Sequence, residues 1–469
     1  MVFTSTIFIF AFLPIVLILY FLAAGTGNQR VKNLVLLLAS FVFYSWGGLQ
    51  YTFLILFSTA VNFILGIWID QCADGGKRRR RLVWAMLINL GVLGFFKYFN
   101  FFTDIILSVI HLWNPEFVIP LPRIPLPIGI SFFTFQIMTY IIDLYRKEVA
   151  VQRNYLDLAL YIMLFPQLIA GPIVRYSDIN AEISNRVSSF EHIYCGTRRF
   201  MIGFSKKMLL ANSMGRVADQ IFAAEAYDNL LFSWLGVITY GLQIFLDFAA
   251  YSDMAIGLGE ILGFHFKENF NYPYISRSIK EFWRRWHISL SSFFRDYVYI
   301  PLGGNRKGAG KTYRNLLIVF FLTGLWHGAS WNFVVWGLWY GTFLILERIV
   351  LLKYLERIPK IVQWMYCMVI VLIGWVFFRA DTLPQAAVYI KSMFLPEWNW
   401  SHLEIMLTMT KENFCWFICS LFICVPKAKL WRRIDQKGWI RELLIIAAFG
   451  ISLCYLMITD FNPFIYFRF

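Results

Sequence analysis

Long apolar runs restrict this chain more than any other feature of its sequence. They occur at about Thr4–Ala24, Leu34–Trp46, Tyr51–Ile69, Leu82–Trp113, Leu126–Tyr145, Leu156–Val174, Leu230–Ala250, Leu316–Leu346, Ile361–Phe378, Phe414–Val425 and Leu443–Met457. A helix needs about 20 apolar residues to cross the hydrocarbon core of a bilayer. Only 15% of the residues are charged, against about 25% in soluble domains. A soluble fold of 469 residues has nowhere to hide this much apolar surface. The sequence therefore predicts an all-α, polytopic membrane protein, since helices satisfy their own backbone groups in lipid.

The charges give the orientation. Arg30 and Lys32 sit between the first two runs, and Lys77–Arg81 follows the third. Two spans separate these loops, so they share a side. The positive-inside rule makes that side cytoplasmic and puts the N-terminus outside. The first run reads as a retained helix rather than a cleaved signal, because no basic residue precedes it. The formal net charge of +15 would also suit a nucleic-acid partner, but no basic domain stands apart from the spans. The seven cysteines form no CxxC pair, so neither a disulfide framework nor a metal site is expected.

Several apolar runs are too short to span. Phe165-Pro166-Gln167 and Ala170-Gly171-Pro172 interrupt one of them. Such interruptions predict broken or re-entrant helices around a protein cavity. The 316–346 run is long enough for two short or tilted spans. With no internal repeat, one membrane domain over residues 1–469 is the simplest account. N-terminal helices reach residue 125, a core runs from 126 to 350, and C-terminal helices follow from 351.

The 276–315 segment differs. It holds Arg284, Arg285, Arg306, Lys307, Lys311 and Arg314 among its basic residues, with Glu281 and Asp296 as its acids. Phe282, Trp283, Trp286, Leu290, Phe293, Phe294 and Tyr297 recur at helical spacing. That pattern predicts one amphipathic helix suited to the membrane surface, ended by Pro301-Leu302-Gly303-Gly304. Its cations suit lipid headgroups or a polyphosphate cofactor such as coenzyme A, and charge alone favours the lipid. His287 falls at the border of the apolar face.

His327 stands in a run without Asp, Glu, Lys or Arg from Asn315 to Leu346. An ionisable residue at membrane depth is costly and normally faces a cavity or a partner. Histidine also suits proton transfer near neutral pH. A hydrogen-bonded structural histidine fits the same position. Gln136, Tyr140 and Asp143 share a helical face, and Asp247 and Ser252 close another apolar run; each group lines a polar path or satisfies a bundle. The HxxxxD, GxSxG, GxxxxGK[ST] and HExxH signatures are all missing.

Six motifs occur in order: Leu126-Pro127-Ile128-Gly129-Ile130-Ser131-Phe132-Phe133-Thr134-Phe135-Gln136, Ala170-Gly171-Pro172-Ile173-Val174-Arg175, Asp247-Phe248-Ala249-Ala250-Tyr251-Ser252-Asp253, Phe282-Trp283-Arg284-Arg285-Trp286-His287, Tyr299-Ile300-Pro301-Leu302-Gly303-Gly304, and Trp326-His327-Gly328 followed by Trp331-Asn332. Together they resemble the membrane-bound O-acyltransferases, and the ending from Asn462 to Phe467 resembles the bacterial alginate O-acetyltransferase branch. The resemblance implies a ring of about 11 tilted transmembrane helices, with re-entrant segments, around a central tunnel in a bacterial cytoplasmic membrane. It implies His327 as the catalytic base and His287 as its less uniform companion. Gln136, Tyr140, Asp143, Asp247, Ser252, Trp326 and Asn332 would line the tunnel. Cytoplasmic acetyl-CoA would be the donor substrate, held near Arg284, Arg285, Arg306, Lys307, Lys311 and Arg314, with no permanently bound cofactor. An extracytoplasmic acetyltransferase or carrier protein would pass the acetyl group to an exported polysaccharide such as alginate. D-alanyl transfer for teichoic acids, or transport of a polysaccharide precursor, are the competing readings.

Overall fold

The computed structural model describes every residue except 118, 120, 224–229, 396–399, 427–437, 460 and 465–469. The last part of the carboxy-terminal motif, residues 465–467, thus lies outside the described residues. All regular elements among the described residues are helical. Seven helices among the described residues are long and apolar enough to cross a membrane.

The N-terminal helices form where the apolar runs predict them. They are α1 (Phe8–Gly25), α2 (Gln29–Ser45), α3 (Leu49–Asp70) and α4 (Gly75–His111). Asn28 caps α2 by accepting from Arg30 N, and Asp74 caps α4 by accepting from Gly76 N and Lys77 N. Capping of this kind satisfies amides that a helix start leaves without partners. At about 1.5 Å per residue, α4 outreaches a hydrocarbon core of about 30 Å. Its first turns carry the basic run Lys77–Arg81.

The core begins with α5 (Ile130–Arg146). Gly129, its N-cap, has φ +75°, and a Cβ there would lie 2.7 Å from Leu168 O. Only glycine meets both demands. The expected interruption in the sixth run is present: α6 (Tyr155–Met163) stops at Leu164, and α7 (Phe165–Leu168) restarts with Pro166 in its first turn. Residues 158–174 are nevertheless buried throughout, so the break lies inside protein rather than in lipid. Then come α8 (Tyr176–Ser184), α9 (Phe190–Ser205), which runs through a π-helical turn at Lys206–Ala211 into α10 (Asn212–Ala223), and α11 (Leu230–Ile261). The most apolar stretch of α11 is 72% buried, against 11% for the last helix, Gly438–Ile458. The first is therefore the central strut and the second is peripheral.

The single amphipathic helix predicted after Ser276 is not formed. It is split into α12 (Ile279–Arg285) and α13 (Ile288–Phe294). Trp286 is extended and His287 has φ +44°, a left-handed conformation that costs a non-glycine residue about 1–3 kcal/mol. The break is held from outside. Asn271 N donates to Arg285 O and Ile288 N to Asn269 O, each at 2.9 Å. Phe282, Trp283, Trp286, Leu290, Phe293, Phe294 and Tyr297 are all buried against the core. That face packs on protein and not on the membrane surface.

The long charge-free run folds as a hairpin of α14 (Ala309–His327) and α15 (Trp331–Leu355). The backbones touch: a Cβ on Gly324 would collide with Phe333 O, and one on Gly337 with Phe320 O. Small residues let membrane helices approach in this way. Beyond it, α16 (Lys360–Arg379) packs against α15.

Candidate active site

His327 ends α14, and His287 marks the break between α12 and α13. Both histidines pack against one indole. The Trp326 ring centroid is 4.8 Å from that of His327 and 5.9 Å from that of His287, both edge-on. Both imidazoles are buried, His287 fully. His327 is boxed by Trp336 at 4.9 Å and Phe378 at 5.2 Å, and His287 by Phe248 at 4.7 Å. Aromatic rings therefore crowd both imidazoles.

The sequence placed His287 at a helix border; the backbone break turns it inward. Its Nδ1 lies 3.1 Å from Asn269 Oδ1. The same oxygen accepts from Ser289 N at 3.1 Å and Ser289 Oγ at 2.9 Å. An amide N–H can only donate, so the Asn269 atom facing it is the oxygen. Nδ1 of a neutral His287 therefore carries the proton, which makes Nε2 the lone-pair nitrogen. Asn269 Nδ2 donates to Ser252 Oγ at 3.4 Å, which joins Ser252 to this network.

Two cavities flank the pair. One of about 300 Å³ is lined by His327, Trp326, Lys97, Ile169 and the start of α5. The other, about 260 Å³, is lined by Ile288 and Ser289, which follow His287, with Pro172–Arg175, Lys267, Arg295 and Asp296. They sit at opposite ends of α5, because Arg146 at its far end donates to Asp296 O at 2.9 Å. Asp296 forms ion pairs with Arg175 at 2.7 Å and Arg295 at 2.6 Å. Burial pushes its carboxyl up, but the two guanidinium groups more than offset this and hold it below the usual carboxylate value.

The remaining sequence candidates scatter. Gln136 is fully buried, and neither amide atom has a partner among the described residues. Tyr140 packs on Gly66 and accepts from Gln152 N at 3.0 Å. Asp143 accepts from Tyr297 OH at 2.8 Å. Asp247 pairs with Lys207 at 2.8 Å, both almost wholly buried. Asn332 donates to Ala380 O at 2.5 Å and so ties α15 to the end of α16. Arg285 pairs with Glu281 at 2.9 Å, while Arg284, Arg306, Lys307, Lys311 and Arg314 are exposed. None of these six basic residues lines either cavity.

Lys97, Asn269, Ser289 and Arg175 are close to the site, and the sequence reading gives them no role. A lone lysine inside an apolar run was a visible signal for Lys97. Asn269 had none, since its importance comes from a contact 18 positions away.

Comparison with known proteins agrees with this architecture. Residues 144–379 match the model of the membrane-bound O-acyltransferase family. A probable alginate O-acetylase of Azotobacter vinelandii is 38% identical over the whole of both chains, and one of Pseudomonas putida is 39% identical, again over both chains in full. A peptidoglycan O-acetyltransferase of Helicobacter pylori is 32% identical over all of this chain and 98% of its own. The chain is thus an O-acyltransferase, and it belongs to the membrane-bound O-acyltransferase family.

Proposed function

We propose that this enzyme moves an acetyl group from cytoplasmic acetyl-CoA, through the protein, to an acceptor on the far side of the membrane, for O-acetylation of an exported polysaccharide such as alginate. The observation that carries the reading is the pair of cavities at opposite ends of α5: His327 lines one, Ile288 and Ser289 next to His287 line the other, and Trp326 lies within 6 Å of both imidazoles. Arg78, within the basic run that opens α4, donates to Leu144 O near the Arg146 end of α5. The positive-inside rule then makes the Asp296 cavity the cytoplasmic one and the His327 cavity the outer one. The full-length likeness to proteins named as acetylases favours acetyl over D-alanyl.

In this reading the donor enters from the Asp296 side, and the His287 ring positions the thioester beside His327 by packing against it. His327 takes the proton from the acceptor hydroxyl, a contribution of about 10²–10⁴ in rate. An extracytoplasmic acetyltransferase or carrier receives the group and passes it to the polymer. The test is His327→Ala, checked for membrane accumulation, with acetyl ester on the exported polysaccharide and acetyl-CoA consumption as readouts. Loss of both is expected. Wild-type acetylation in the variant would sink the assignment.

A further inference from the structure

Lys97 lies well inside α4 and is only 8% exposed. Its ammonium donates to the carbonyl of Trp326 and, at 3.2 Å, to Ser131 Oγ. The neighbouring Tyr98 OH donates to Leu325 O at 2.7 Å. Two consecutive residues of α4 thus take up the last carbonyls of α14, the helix that ends on His327. These bonds use two of the three ammonium protons and neutralise none of the charge. Among the described residues no carboxylate pairs with Lys97. Burying an ammonium without a counter-charge is costly, so an anion that visits this place is strongly favoured.

The cavity around Lys97 is built to receive one. Gly129 to Phe132, the start of α5, form part of its wall. The positive end of that 17-residue helix therefore points into it. Ile130 N is taken by Pro127 O, and Phe132 N and Phe133 N by Gly129 O. Ser131 N has no acceptor among the described residues. An ammonium, a backbone N–H and a helix N-terminus converge beside His327, and the residues lining this cavity include no acid.

We propose that Lys97, together with Ser131 N–H, is the group that holds the negative oxygen formed on the acyl carbonyl during transfer, which makes Lys97 a catalytic residue. The inference rests on acyl transfer at His327. As the acceptor hydroxyl oxygen bonds to the acyl carbon, its proton passes to His327 and the carbonyl π pair moves onto oxygen. Lys97 and Ser131 N–H hold that oxyanion. Collapse re-forms the C=O bond, breaks the carbon–sulfur bond and sends the His327 proton to the departing thiolate.

Three variants of the full chain in proteoliposomes test it, with His327→Ala as reference. Lys97→Arg keeps the charge and stays within about tenfold of wild type. Lys97→Gln can still bond the Trp326 carbonyl but carries no charge, and Lys97→Met can do neither. Both lose about 10²–10³-fold in kcat with little change in KM for the acceptor, the usual effect of removing one oxyanion donor. A Gln variant with wild-type kcat overturns the proposal and leaves Lys97 as a helix cap. A His327→Ala enzyme that also works at the wild-type rate overturns the acyl-transfer reading instead. If the Gln and Met proteins fail to accumulate, the alkaline limbs of the wild-type and Lys97→Arg rate profiles decide. The wild type then loses rate at high pH and the Arg variant does not; superimposable limbs overturn the role.

Discussion

Truncating Asn269 to alanine separates two ways of holding His287: by packing alone, or by a specific hydrogen bond. Asn269 is fully buried, and its Oδ1 accepts from His287 Nδ1, Ser289 N and Ser289 Oγ. The Ser289 hydroxyl can rotate to a new partner. The Ser289 amide cannot, and the His287 ring N–H keeps only Ser289 Oγ at 3.4 Å, a long bond. Each stranded buried donor costs about 1–3 kcal/mol, so the loss runs from about 1–3 kcal/mol for the amide alone up to about 6 kcal/mol if both are stranded. A water entering the vacated space returns part of that, leaving about 2–4 kcal/mol to be read as a lower melting temperature in detergent. On the proposed mechanism the rate falls further than stability explains, by about 10²-fold, because the ring is no longer fixed in place. The assay is acetyl transfer from acetyl-CoA in proteoliposomes for Asn269→Ala, His287→Ala and the double variant. The two singles should be similarly slow and the double no slower, since both remove one function. Losses that multiply in the double variant would refute the argument that Asn269 works through His287.

Two further outcomes follow from packing and charge. Gly337→Leu should fail to fold or lose more than about 1–3 kcal/mol, because the α14–α15 backbones leave no room for a side chain; Gly450→Leu, at an open position on the peripheral last helix, should express and melt like wild type. The ion pairs of Asp296 contribute stability above the ordinary carboxylate value, and that contribution disappears as pH falls through its lowered value in the folded protein; the difference in melting temperature between wild type and Asp296→Asn should therefore be constant near neutrality and shrink on acidification below pH 4, and a difference independent of pH would exclude the role.

The apolar runs announced the helices because lipid imposes a simple rule on a spanning segment. The broken passage at 156–174 was legible too, because Pro166 and Gly171-Pro172 interrupt its apolar run. His327 stood out for a local reason, an ionisable group in charge-free sequence. His287 did not, because its position depends on a chain break clamped by residues 269–271. Periodicity averages over such a break and returned one surface helix where the structure has two buried ones. The exposed basic residues Arg306, Lys307 and Lys311 were easy to notice in sequence. The cations nearest the site, Lys97 and Arg175, were single residues in apolar or mixed surroundings, which only folding brings together.

The aromatic rings packed around the two imidazoles have a consequence for the cell rather than for the reaction. A protein that hands an acyl group across a bilayer has to do so without becoming a leak for protons and ions. Trp326, backed by Phe132 and Phe135, with Trp336 and Phe378 around His327, leaves little between the cavities on which a file of water can hold. Hydrophobic constrictions of this kind interrupt conduction by drying out. In the proposed transfer the rings around the histidines would therefore also serve as insulation, and the price of a wider passage would be the energy the membrane stores.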